Sequence, residues 1–286
     1  MSWLFFTLVN VFANGTVAFL FKRESKRLKI THIEIIFYSF FISVLFFTPF
    51  FIFYWLSNGI SVERGGFPYF FVAQLFGIIA TIYFVKAYSI GEISIIGPLE
   101  SLRPFFVVIL AILFLQEIPT SSMILGTIFI VVGAMLLHFH KNMNLRLDSV
   151  QLKPTLYILI STFLYGSNAI IDRKALAYIE PIAYAYFLFI ALSLFFGLYL
   201  RARGRKFDIN LLKNRTIIAI GVLVVIGNVA IFLALKDASP NFVVPVQMTR
   251  SLYLAFLGFI FLGEKGYIRK IIAALLMLTG VTLLMQ

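Results

Sequence analysis

The sequence predicts an all-α integral membrane protein of ten transmembrane helices, arranged as two inverted five-helix repeats. Three observations carry that expectation. The 286 residues are 61% hydrophobic and only 13% charged, whereas soluble domains run near half apolar and a quarter charged. The apolar residues fall in long continuous runs, each close to the ~20 residues needed to cross ~30 Å of hydrocarbon. The second half of the chain also repeats the first at a fixed spacing.

The runs follow in order. Run 3–21 reads as a membrane helix rather than a signal peptide, because no basic stretch precedes it, no clear small-residue cleavage site follows, and further apolar runs come after it. Runs 33–56, 69–88, 93–115 and 123–140 complete a first set of five. A charged connecting loop, 141–153, leads to runs 155–171, 182–200, 216–235, 241–262 and 268–285. Apolarity that is continuous rather than alternating excludes a transmembrane β-barrel. The expected domains are therefore 1–140 and 154–286.

The repeat rests on residues that two greasy helices would not share by chance. Ala87 pairs with Ala234, Pro98 with Pro245, Arg103 with Arg250, Glu117 with Glu264 and Gly133 with Gly280, always 147 residues apart. Phe114-Leu115 likewise matches Phe261-Leu262. Earlier in each half, Gly15 followed by Lys22-Arg23 matches Gly166 followed by Arg173-Lys174 at a slightly different spacing. Five spans per repeat is an odd number, so the second repeat enters the membrane in the opposite direction. Inverted repeats place the substrate site near the midplane, where the repeats meet.

The formal net charge is +12, but the Lys and Arg sit in short gaps between apolar runs, as membrane loops do, so no nucleic-acid partner is expected. They crowd the gaps after runs one, five, seven and nine and thin out in the alternate gaps. Positive loops stay cytoplasmic, which places both termini outside. The chain has no cysteine, hence no disulfide, thiol nucleophile or thiolate metal site. His138 and His140 form an H-x-H pair at a helix end, read as interfacial histidines because a metal would need more ligands than these. No cofactor or metal is expected.

"GPLESLRPFFVVILAILFLQE" followed by "LGTIFIVVGAMLL", with its echo "VPVQMTRSLYLAFLGFIFLGEK" followed by "AALLMLTGVTLL", resembles the EamA-type branch of the drug/metabolite transporter superfamily. In that branch a Pro opens the fourth and ninth helices, an FLxE string closes them, and a Gly lies inside the helix that follows. The resemblance spans essentially the whole chain, twice over. It implies ten helices, export or exchange of small metabolites, and a central cavity lined partly by the fourth and ninth helices. It also implies termini inside, against the charge distribution.

Candidate site residues are the polar groups stranded in apolar runs. Arg103 and Arg250 each stand five residues after their Pro. An arginine at the centre of a membrane helix costs about 2.5–3.5 kcal/mol, so each needs a compensating environment. Glu100 and Gln247 stand three residues earlier, on the same face of a regular helix. Either Glu100 neutralises Arg103 while Gln247 hydrogen-bonds Arg250, as a static clasp, or both guanidiniums bind an anionic group of a substrate. Asn14 and Asn168 adjoin the repeated glycines, and they serve helix packing or line a cavity, as do Asn10 and Asn228. Tyr83, Tyr88, Tyr165 and Tyr253 are the tyrosines that could contact substrate, and Tyr253, one turn from Arg250, is the one singled out. Pro98 and Pro245 are first-turn prolines or helix breaks. Lys86 reads as a snorkelling residue. Glu117 and Glu264 are expected to cap the following helix or sit at the interface.

The leading expectation is a secondary transporter of a small polar or amphiphilic metabolite in the cell membrane, since no G-x-x-x-x-G-K-[ST] motif or soluble nucleotide-binding stretch exists. A membrane-embedded prenyl or acyl transferase would want clustered carboxylates or a His-carboxylate pair, and the acidic residues are scattered. A translocase for a lipid-linked substrate is the same-fold alternative. The lipid bilayer and a small-molecule substrate are the expected partners.

Overall fold

The computed structural model describes residues 2–28, 30–138, 149–262 and 267–286. Thirteen helices form among them: α1 (Ser2–Leu28), α2 (His32–Asn58), α3 (Gly66–Ile90), α4 (Ile93–Glu100), α5 (Arg103–Leu115), α6 (Ser121–His138), α7 (Ser149–Ala175), α8 (Pro181–Ala202), α9 (Ile209–Leu212), α10 (Arg215–Asp237), α11 (Pro240–Gln247), α12 (Arg250–Leu262) and α13 (Tyr267–Leu284). Eight spans among the described residues are long and apolar enough to cross a membrane, α4 and α5 together supplying one of them. Every expected run falls on a helix or a helix pair. The fourth and ninth runs are each interrupted, and α9 is an additional single turn between the seventh and eighth. Residues 149–153, expected in the connecting loop, begin α7; residues 139–148, with His140, lie outside the described residues.

Side chains on the outer faces confirm the solvent. Phe53, Leu56, Phe71, Leu113, Leu194, Leu198 and Leu275 are all more than half exposed. Water would penalise so many exposed large apolar side chains, and lipid does not.

The chain divides into two compact units that cut across the sequence repeats: residues 1–70 with 174–237, and residues 71–173 with 238–286. In the first, α2 starts with a capping box, Thr31 and Glu34 each satisfying the other's backbone N–H. Tyr184, Phe189, Phe196, Ile217 and Ile220 are fully buried at its centre. The Ser43 hydroxyl donates to the Gly221 carbonyl at 2.9 Å, and Ile42 fills the space a Cβ on Gly221 would need. In the second, α6 and α13 pack closely through glycine: a Cβ on Gly126 would lie 2.7 Å from the Gly280 carbonyl, and one on Gly133 would lie 2.9 Å from that of Ala273. Small residues let membrane helices approach to backbone contact.

The repeat is visible in hydrogen bonds as well as in sequence. Asn10 Nδ2 donates to the Gly227 carbonyl at 2.8 Å, and Ser161 Oγ donates to the Ala80 carbonyl at 2.9 Å. Asn10 stands five residues before Gly15 and Ser161 five before Gly166, while Ala80 and Gly227 are 147 apart. Equivalent positions make the equivalent bond with different side chains.

Candidate functional site

Both interrupted spans have the same construction: eight residues of helix, a two-residue turn, then thirteen residues of helix. Pro98 and Pro245 lie in the last turn of the short helices α4 and α11, not in a first turn. Each removes one N–H from the helical ladder. Pro104, second residue of α5, removes another, the one that would return to the Glu100 carbonyl. At the equivalent place Ser251 N–H instead donates to the Met248 carbonyl at 3.1 Å, a tighter i→i−3 spacing. The turns stay right-handed, with Ser101 at φ −66° and ψ −11° and Met248 at φ −65° and ψ −19°. Each break therefore creates a new helix N-terminus within the span, and the residue that begins it is an arginine.

Glu100, the last residue of α4, joins the two arginines. Its Oε1 accepts from Arg250 Nη2 at 3.0 Å and lies 3.8 Å from Arg103 Nη2. Its Oε2 accepts from the Tyr88 hydroxyl at 2.6 Å. The Arg103 guanidinium lies over the Tyr165 ring, 5.4 Å from its centre, and the Tyr165 hydroxyl is 2.9 Å from Thr81 Oγ1. Side-chain exposures are 15% for Arg103, 17% for Glu100 and 31% for Arg250, so Arg250 is the most accessible of the three. Arg103 Nε is buried with no hydrogen-bond partner. One carboxylate between two guanidiniums leaves about one positive charge unbalanced at low dielectric, where charge is costly.

This extends the expected Glu100–Arg103 pairing, which is present, to a second arginine. Glu100 serves both arginines and is closer to Arg250, on the other sequence repeat, than to Arg103. The break is the reason. It puts Glu100 and Arg103 on different helices, so a three-residue spacing no longer guarantees a shared face.

Gln247 ends α11, three residues before Arg250, and Tyr253 lies in the first turn of α12; both are half-buried. Asn168, three residues beyond Tyr165 on α7, donates from Nδ2 to Asp172 Oδ2 at 2.7 Å, and its Oδ1 is buried without a partner. Asn14 belongs to the other compact unit, where its amide packs against Gly227: a Cβ there would lie 3.1 Å from Asn14 Oδ1. Asn228 bonds its own helix at the Val224 carbonyl, 2.8 Å away. Tyr88 and Tyr165 join the cluster, although neither is the tyrosine singled out from the sequence. The available signal for Tyr165 was its place directly before Gly166, matching Asn14 before Gly15.

Other expectations resolve locally. Lys86 is exposed, its Nζ 5.6 Å from the Tyr83 ring centre and 6.0 Å from that of Tyr157. The His138 ring occupies the space beside Gly97. Glu117 does not cap the helix that follows it. Its carboxylate accepts from the Ser239 hydroxyl and from Asn241 Nδ2, the latter at 3.3 Å, at the start of α11. A carboxylate suits that place, because helix N-termini present free N–H groups and partial positive charge. Glu264 lies outside the described residues. In the first compact unit a cleft of about 510 Å³ is lined by Tyr54, Asn58, Ser61, Glu180 and Lys236 among others. It contains none of the expected site residues.

A solved crystal structure, described only as "Crystal structure of protein", matches with a TM-score of 0.80 at 14% identity. The match covers 99% of this chain and 96% of that one, a likeness of fold. No curated protein matches. The model of the EamA-like transporter family matches twice, at residues 1–139 and 152–286. With its long apolar helices and lipid-facing surfaces, the molecule is an integral, multi-pass membrane protein. The chain belongs to the EamA-like transporter family.

Proposed function

We propose that the protein is a secondary transporter, an exporter or exchanger, that carries a small metabolite with an anionic or zwitterionic group across the cell membrane by alternating access. On this reading α4–α5 and α11–α12 each form one broken span. With α9 set aside, the ten spans make two inverted five-helix repeats, 1–140 and 154–286, joined through 141–153. Broken membrane helices at mid-span are where such transporters hold substrate, anionic groups meeting the N-terminal ends of half-helices.

The observation that carries the reading is the shared carboxylate. Glu100 offsets only one of two guanidiniums, and Arg103 keeps a buried donor unused. A static clasp needs no second arginine. A site awaiting an anion does. Arg103 and Arg250 hold the anionic group, Glu100 and Gln247 orient them, and Tyr253, Tyr88 and Tyr165 shape the surround. Asn14 and Asn168 are assigned as polar lining.

Metabolite profiling of cells that over- and under-produce the protein names a candidate, and flux of that compound into vesicles holding the purified protein tests it. Transport of unchanged compound is the expected result. Chemical conversion, or no flux of any profiled compound, overturns the reading. For orientation, the positive loops place both termini outside, so a reporter fused after Gln286 that requires the cytoplasm should be silent; activity there reverses the assignment.

A further inference from the structure

The two repeats differ where their charges meet. Positions 100 and 247 are equivalent, 147 residues apart, but one is a glutamate and the other a glutamine. Glu100 reaches across to the arginine of the opposite repeat at 3.0 Å. A carboxylate at 247, reaching across in the same sense, would meet Arg103. The chain puts a neutral amide of nearly the same shape there, and Arg103 has a buried donor without a partner. The unused Nε adjoins Nη2, which makes only the loose 3.8 Å approach to Glu100. Nε and Nη2 form the side-on edge of a guanidinium, the one that grips a planar carboxylate with two parallel hydrogen bonds.

Building on the anion-site reading above, we propose that Gln247 keeps the place of a second carboxylate open and that the ligand's own carboxylate fills it. The repeat symmetry is completed by the cargo. The site therefore takes one singly charged carboxylate group, the head of a monocarboxylate or an amino acid, and discriminates against phosphate and sulfate. A singly charged group brings the cluster to neutrality. A doubly charged one leaves an uncompensated negative charge among buried groups, which is strongly unfavourable.

The test is thermal stability of the purified full-length protein in detergent, at fixed ionic strength and at a fixed alkaline pH where phosphate is doubly charged, titrated with acetate, phosphate or sulfate. Acetate should raise the midpoint of the natural protein saturably, and the other two anions should not. Gln247→Glu supplies the missing carboxylate internally. Its midpoint without ligand should rise, and its acetate response should weaken at least tenfold. Glu100→Gln, which leaves two places open, should gain a response to sulfate and provides an independent arm if Gln247→Glu cannot be purified.

An undiminished acetate response in Gln247→Glu, equal stabilisation by phosphate and acetate, or no sulfate response in Glu100→Gln overturns the inference. Arg103→Leu and Arg250→Leu separate it from the reading beneath. If they respond to acetate like the natural protein, or if the natural protein responds to no anion, the arginine site itself fails. If they lose the response while Gln247→Glu keeps it, only the role of Gln247 fails.

Discussion

The breaks at α4–α5 and α11–α12 have identical lengths and carry an arginine at the same step, yet they differ in what surrounds it. The first has Glu100 before the turn and Pro104 after it; the second has Gln247 and Ser251. Pro104 is therefore not what makes the turn after the short helix, since the second break forms with Ser251 N–H still donating. The backbone is the shared inheritance of the two repeats, and the side chains are where they have diverged. One break contributes a carboxylate and a cation, and the other contributes a cation alone. That difference converts a symmetric scaffold into a site with a surplus charge.

Four substitutions break or sharpen this comparison, beginning with the strongest. Arg250→Leu removes the more accessible cation and leaves Glu100 balanced by Arg103. Charge-assisted hydrogen bonds contribute about 1.5–3 kcal/mol, so losing those to substrate should cut transport roughly 10–100-fold. The thermal midpoint should hold within a few degrees, since a neutral pair remains; collapse of the protein would mark the arginine as structural. Arg103→Lys keeps the charge and loses the planar fork. Transport measured alongside should fall about tenfold, with little change in stability. If lysine transports normally, two-point recognition is not what Arg103 provides.

Tyr88→Phe comes next. It deletes the 2.6 Å bond to Glu100 Oε2 and frees that oxygen to rotate toward Arg103. The apparent affinity for substrate should weaken by a few fold, about 1 kcal/mol, with the maximal rate less affected. A change confined to the maximal rate would contradict a positioning role. The smallest effect belongs to Ser251→Pro, which copies Pro104 into the second repeat. It sacrifices the Ser251 N–H bond but stiffens the unfolded chain, so stability should move by less than about 1 kcal/mol in either direction. A large loss would show that the two turns are less alike than their dihedral angles indicate.

The spans were legible in the sequence because lipid imposes a length and an apolarity that no packing detail overrides. The arginines were legible for the converse reason, since a charge in an apolar run needs a purpose. The breaks were less so. Pro98 and Pro245 fit a first-turn position as well as a disruption, and only the helix boundaries distinguish these. The Glu100–Arg250 pair spans 150 residues, beyond any local spacing rule, and it depends on a turn the pattern did not specify. Tyr88 and Tyr165 were hidden by abundance: among 34 Phe and 13 Tyr, composition cannot single out the two rings that touch the cluster. Local spacing suggests a cap or an interfacial place for Glu117, whereas its partners at the start of α11 lie more than a hundred residues away.

The interleaving of the compact units has a consequence for how the protein is made. One unit joins residues 1–70 to 174–237, and the other joins 71–173 to 238–286. Neither can close until most of the chain has left the ribosome. At about 5–20 residues per second, α1 and α2 wait on the order of ten to thirty seconds for α10 to be synthesised. Through that interval the carbonyl of Gly227 has not been made, so the Asn10 amide that will bind it must find another partner or remain unsatisfied in the bilayer. The early helices must therefore be kept from wrong neighbours by the insertion machinery or by lipid, and the last third of translation, rather than the first, is when this transporter acquires its shape.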